Sequence, residues 1–106
     1  MLIVKPEEMQ EIEKNLKENY LFTPSILIEN VGCLCAEFIF RKMLATIEYE
    51  NIIVVVGSGR NGSYAMSTAR HLLRYNIQCK ILLLSSLAKR DDDNNMQIKM
   101  LASYGI

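Results

Sequence analysis

Residues 52–64 read IIVVVGSGRNGSY, and this stretch narrows the possible folds more than any other. Five consecutive β-branched residues, Ile52 to Val56, predict a strand. With no polar residue alternating among them, that strand is expected to be central and covered on both faces. The run then breaks into Gly57, Gly59 and Gly62, the spacing G-x-G-x-x-G. An amphipathic helix is predicted beyond it, from about Ser63 to Arg74, with Met66, Ala69, Leu72 and Leu73 facing inward. In such a loop the first glycine permits a sharp turn and the second lets backbone approach a phosphate. The third lets helix and strand pack closely. The N–H groups of Gly62, Ser63 and Tyr64 are expected at the helix start, where partial positive charge favours an anion. The alternative is a tight strand–helix turn that binds nothing.

The flanking sequence completes an α/β pattern. Pro6 suits the first position of a helix carrying Met9, Ile12, Leu16 and Tyr20 as one apolar stripe. Thr23-Pro24-Ser25 starts a second helix. Its apolar face is wide, with Leu27, Val31, Leu34 and Phe38 on one line and Ile28, Cys35 and Ile39 beside it, which predicts burial against more than one neighbour. The pattern fades after Met43. Lys80 to Leu84 reads as a second buried strand. Asp91-Asp92-Asp93-Asn94 then starts a last helix with Met96, Met100 and Leu101 on its inner face, ending at Gly105. Strand, helix, strand in this order predicts a parallel pair. The fold class is α/β, a Rossmann-like three-layer α/β/α arrangement with an incomplete parallel sheet preceded by two N-terminal helices. The whole chain, 1–106, reads as one domain, with a helical segment over 1–50 and a strand–glycine loop–helix–strand–helix unit over 51–106.

Composition bounds the function classes. Twelve basic and twelve acidic residues leave a formal net charge of zero, which gives no field to recruit nucleic acid or an anionic membrane. No apolar run approaches the roughly 20 residues needed to span a bilayer. The N-terminus turns acidic at once and the cysteines number three, so a reducing, cytoplasmic setting without disulfides is expected. Cys33 and Cys35 on one helix point about 200° apart, unsuited to chelation. Cys79 reads as a packing residue.

An ordinary dinucleotide site carries an acid about 20 residues on, at the end of the second strand. Here that strand runs into Leu84-Ser85-Ser86, and the first acids, Asp91 to Asp93, follow Lys89-Arg90. Lys89 and Arg90 read as a solvated charge pair before a helix, with contact to a 2′-phosphate as the alternative, and the aspartates read as a solvated helix cap. Two parallel strands alone make a poor sheet with both edges open. The chain is therefore expected either to be the first half of a larger domain or to complete its sheet by association into a homo-oligomer.

Two stretches resemble a known family. Leu27-Ile28-Glu29-Asn30-Val31-Gly32 resembles the L-M-E-N-A-G motif of the YjeF N-terminal domain family, the NAD(P)H-hydrate epimerases. GSGRNGSYAMSTARHL resembles that family's G-x-G-N-N-G-G-D-G…A-R-H-L segment, and Met9-Gln10-Glu11-Ile12-Glu13 is similar to its first helix. The resemblance runs along the entire chain and covers the N-terminal half of the family domain. It implies a Rossmann-like fold, a dimer, and interconversion of the R and S forms of hydrated NADH or NADPH. It implies that Arg60, Asn61, Gly62, Ser63 and Tyr64 bind the nucleotide and that Asn61 helps to hold a potassium ion. Catalytic residues are not assigned: a truncated or degenerate member with little activity alone is expected, and the alternative is a non-catalytic nucleotide- or protein-binding Rossmann-like module. The motif's first asparagine is here Arg60, its second glycine Ser63, its aspartate Tyr64 and its final glycine Ala65. His71, in the A-R-H-L match, reads as a structural surface histidine. Glu29-Asn30 reads either as a buried polar pair satisfying nearby backbone or as part of the site.

Overall fold

The computed structural model describes residues 3–84 and 89–105. The helices are α1 (Pro6–Tyr20), α2 (Pro24–Phe38), α3 (Arg60–Leu72) and α4 (Asp92–Ser103). The strands are β1 (Ile53–Val56) and β2 (Lys80–Leu83), and a π-type segment, Ile39–Leu44, extends α2. The strands are parallel, with Ile53 opposite Lys80 and Val56 opposite Leu83. Pairing reaches one residue further, since Leu84 N–H donates to Val56 O at 2.9 Å. The α/β class and the incomplete parallel sheet follow the sequence pattern.

Helix α1 starts where Pro6 predicts, and Lys5 N–H donates to the Glu8 carboxylate at 3.4 Å. It stops at Leu21, whose left-handed φ of 57° cannot continue a helix. The chain then bends by 117° into α2. Its expected stripe is not buried: Met9, Ile12 and Tyr20 are exposed, and α1 contributes no buried residue.

Helix α2 buries only a narrow line within this chain, where a wide face was expected to be buried inside the domain or across a subunit boundary. Its buried residues are Ile28, Gly32 and Ala36, one every fourth position, while Leu34 and Phe38 point outward. The physical reason is backbone proximity. A Cβ on Gly32 would lie 2.0 Å from Ser67 Oγ and 2.8 Å from the Ser67 carbonyl carbon, so small residues let α2 and α3 meet closely. Helicity also persists past Met43 to Leu44, because Phe40 stacks on Tyr75 with ring centroids 4.2 Å apart and holds the segment down.

All the core helices lie against one face of the sheet. Ala36, Ala69, Leu72, Ile77 and Cys79 form one cluster, with Ile39, Val54 and Ile81 against it. Val56, Met66 and Leu101 form a second, sharing Val54 and Ile81. The opposite face carries Ile53, Val55 and Leu82, which are 60%, 54% and 52% exposed. The expectation that Ile52–Val56 is covered on both faces is therefore corrected. Among the described residues helices occur on one side only, so two of the three expected layers are present. Helix α4 likewise turns a different face inward. Asn94, Gln97 and Leu101 are buried, whereas Met96 is exposed and Met100 half-buried. Gly105 has φ 79° and ends α4 as expected. Among the described residues no single helix is long and apolar enough to cross a membrane.

Candidate phosphate-binding loop

Val56 is fully buried, and β1 delivers the chain into Gly57 and Ser58. Helix α3 begins at Arg60, three residues before the expected start, with Gly59 as its extended N-cap (φ −95°, ψ −163°) and no capping side chain. Ser63 N–H is consumed by Gly59 O at 3.2 Å. The first-turn amides without an intrahelical partner are therefore those of Arg60, Asn61 and Gly62 rather than the expected Gly62, Ser63 and Tyr64.

The three glycines differ in what requires them. None has a left-handed φ, and the chain bends at Ser58 and Gly59 between β1 and α3. A Cβ at Gly57 or Gly59 would meet nothing within 4 Å. At Gly62 it would lie 2.0 Å from Gly57 O and 3.2 Å from Asn94 Nδ2. Gly62 is thus required by internal packing, whereas Gly57 and Gly59 keep an outer surface bare.

The loop is gripped from behind. Asn94 is fully buried, and its Nδ2 donates to Gly59 O at 3.0 Å and to Gly57 O at 3.3 Å. Arg90 Nη1 donates to Gly57 O at 2.8 Å and to Asn94 Oδ1 at 2.7 Å. The solvated-pair reading of Lys89-Arg90 is thereby corrected for Arg90, which is buried because its hydrogen bonds to Gly57 and Asn94 compensate its desolvation. Lys89 is exposed. Asp91 is the expected cap, accepting from Asn94 N–H at 2.7 Å. Asn94 was legible only as part of that start signal. Its position three residues before Gln97 and seven before Leu101, along one face of α4, is the pattern that marks it as inward-facing. Ser85 and Ser86, the expected end of the second strand, lie outside the described residues.

The expected nucleotide-binding residues do not share one surface. Asn61 is exposed on the first turn of α3, while Gly62 and Ser63 are buried. Ser63 Oγ has no hydrogen-bond partner among the described residues. Arg60 Nη1 donates to Glu13 Oε2 of α1 at 3.1 Å. Tyr64 is half-buried and lines an apolar groove of about 520 Å³ beside β1, together with Ile39, Leu44 and Val55.

A second polar centre joins three helices. Glu29 on α2 accepts from Arg70, from Ser67 Oγ at 3.4 Å and from Gln97 Nε2 at 3.1 Å, and contacts His71 Nε2 at 3.0 Å. Burial acts to raise the Glu29 pKa, but the hydrogen bonds from Arg70, Gln97 and His71 and the Arg70 charge outweigh it and hold the carboxyl below its ordinary value. The backbone-satisfying reading of Glu29-Asn30 is corrected: Glu29 serves side chains, and Asn30 is exposed. The His71 side chain is partly buried against Glu29, rather than free on the surface as expected. Cys33, Cys35 and Cys79 are free thiols, and burial raises the Cys79 pKa. Among the described residues no three His, Cys, Asp or Glu side chains gather to hold a metal ion.

A parallel strand pair, a glycine loop and the helix that follows it define a Rossmann-like α/β protein. Residues 24–106 match the family described as YjeF-related protein N-terminus, and the chain belongs to that family. It is similar to the bifunctional NAD(P)H-hydrate repair enzyme Nnr of Moorella thermoacetica, 29% identical over 85 residues, which cover 80% of this chain and 16% of that protein. It is also similar to the NAD(P)H-hydrate epimerases of Nitrosopumilus maritimus (31% identity, 76% of this chain, 36% of that protein) and Oenococcus oeni (33%, 77% and 38%). The chain therefore spans less than two fifths of the length of these relatives.

Proposed function

We propose that this chain receives the pyrophosphate of hydrated NADH or NADPH on the bare side of loop 57–62, as the nucleotide-binding half of an NAD(P)H-hydrate epimerase. One observation carries the reading: Gly57 and Gly59 have ordinary backbone angles and open space where a Cβ would sit, so nothing inside the described chain requires glycine there. An approaching ligand does. Interconversion of the R and S hydrates belongs in this reading to the complete fold. The described loop brings backbone amides and Asn61 to its open side but no acid or base, so the chain alone is expected to bind with little turnover. The resemblance also points to potassium. Asn61 would supply one oxygen, while the Gly57 and Gly59 carbonyls already accept from Asn94 and Arg90. Such an ion takes a shell of several oxygens, and the described residues do not fit it, so no step here runs through it.

Titration with ADP-ribose, and conversion of R to S hydrate with potassium present, test the reading. Gly57→Ala and Gly59→Ala are expected to leave the melting temperature unchanged or slightly raised. Both should weaken ADP-ribose binding by about tenfold or more by filling the approach. Wild-type affinity in both variants would overturn the proposal.

The same reading includes association of two copies. Support comes from the contiguous exposed row Ile53, Val55, Leu82 and Leu84, an apolar surface that a lone two-stranded sheet leaves in water. Sedimentation equilibrium is expected to give twice the chain mass. A compact, well-folded monomer at high concentration would refute this.

A further inference from the structure

We infer that Asn94 sets the electrostatic polarity of the glycine loop, acting as a positioning residue on α4. In a trans peptide the C=O and the following N–H point in opposite directions. Asn94 Nδ2 draws both Gly57 O and Gly59 O toward the buried side. The N–H groups of the same two peptides, those of Ser58 and Arg60, are therefore aimed away from Asn94. Gly57 and Gly59 each leave open space where a Cβ would sit. Asn94 thus holds both carbonyls, sharing Gly59 O with the Ser63 N–H, and it leaves the two donors on the far side of those peptides.

The amide orientation follows from its partners. Arg90 can only donate, so the Asn94 oxygen faces Arg90 and the nitrogen faces the carbonyls. Arg90 contributes a second donor to Gly57 O and so reinforces the same direction. Helix α4 is itself fixed to α2 by Ser25 Oγ donating to Asp93 Oδ1 at 3.1 Å and by Gln97 Nε2 donating to Glu29. The clamp stands on a braced helix, so the loop cannot relax by dragging Asn94 with it.

The inference rests on the phosphate reading of the loop for its ligand and on the free protein for the peptide orientation. Its test has two separable arms. Asn94→Asp keeps the shape but places a carboxylate against two carbonyl oxygens, and Asn94→Ser removes the donor's reach with a smaller change. In the free protein, the Ser58 and Arg60 amide resonances are expected to shift and the Ser63 amide, which donates to Gly59 O, to exchange about tenfold or more faster in both variants, while Ala69 and Leu72 stay protected. Inorganic pyrophosphate, the probe ligand, is expected to bind at least about tenfold more weakly to the aspartate variant than to wild type. Unchanged loop exchange in a folded variant would overturn the inference, as would wild-type pyrophosphate affinity in Asn94→Asp. A uniform rise in exchange across α3 and the loop would also overturn it, by reducing Asn94 to a general packing residue. If wild type binds no pyrophosphate the phosphate reading fails, and the exchange arm still decides what Asn94 does. Should Asn94→Asp fail to fold, Asn94→Ser carries both arms.

Discussion

Replacing Gly62 with alanine is expected to lower the unfolding free energy by about 3 kcal/mol and to abolish nucleotide binding. The new methyl carbon would lie 2.0 Å from Gly57 O and 2.8 Å from its carbonyl carbon. Neither atom belongs to a flexible side chain. Gly57 O is bonded to Arg90 at 2.8 Å and to Asn94 at 3.3 Å, so moving it breaks the clamp. Alanine normally gains up to about 1 kcal/mol over glycine within a helix, which is too little to offset the collision. Urea unfolding measures the effect as a lower midpoint at an unchanged slope. A variant as stable as wild type would show that the loop does not close on itself in this way. Together with the near-neutral stability expected for Gly57→Ala and Gly59→Ala, this separates the glycine that holds the loop from the two that leave it open.

Glu29→Ala is expected to be the other severe change, at about 2–3 kcal/mol. The loss arises at Arg70, whose side chain is 9% exposed and whose charge would remain buried without its carboxylate. Glu29 itself is 37% exposed, so solvent screening holds the figure below that of a fully buried pair. Ser67 and Gln97 lose an acceptor in the same step. The pH dependence has a definite sign. The folded Glu29 carboxyl lies below its ordinary 4.5, so its stabilisation is complete above that pH and is lost as pH falls through the folded value. The stability gap between wild type and Glu29→Ala should therefore be full near neutrality and shrink as the pH falls below 4.5. Urea midpoints measured for both proteins across that range check it. A gap that grows on acidification would show that the Glu29 charge is not what stabilises the junction.

Local sequence carried much of the architecture. Pro6, Thr23-Pro24, Asp91 and Gly105 mark helix ends through constraints that lie within a few residues, and each end falls where those constraints place it. The run Ile52–Val56 was legible as a strand because β-branching acts on the backbone that bears it. Burial was less legible. The stripes on α1 and α2 have the period of a buried face, yet Met9, Ile12, Leu34 and Phe38 are exposed. Periodicity states that a side could be buried, but a neighbour must be present to bury it. Gly32 and Ala36 were missed for the converse reason. Small residues add little to an apolar stripe, and their importance appears only where another backbone approaches.

The candidate site divides along the same line. The order of strand, glycine triplet and helix follows from the chain alone, because strand formation and glycine's missing Cβ are properties of adjacent residues. That Gly62 braces the loop while Gly57 and Gly59 leave it bare was decided by the tertiary structure. So were the burial of Arg90 and the grip of Asn94 on two carbonyls 35 and 37 positions away. Hydrogen bonds across such separations depend on where α4 is placed, and helix placement is a property of the packed whole. Sequence determined where a glycine loop can form between strand and helix, and tertiary contacts decided which of its glycines packs inward.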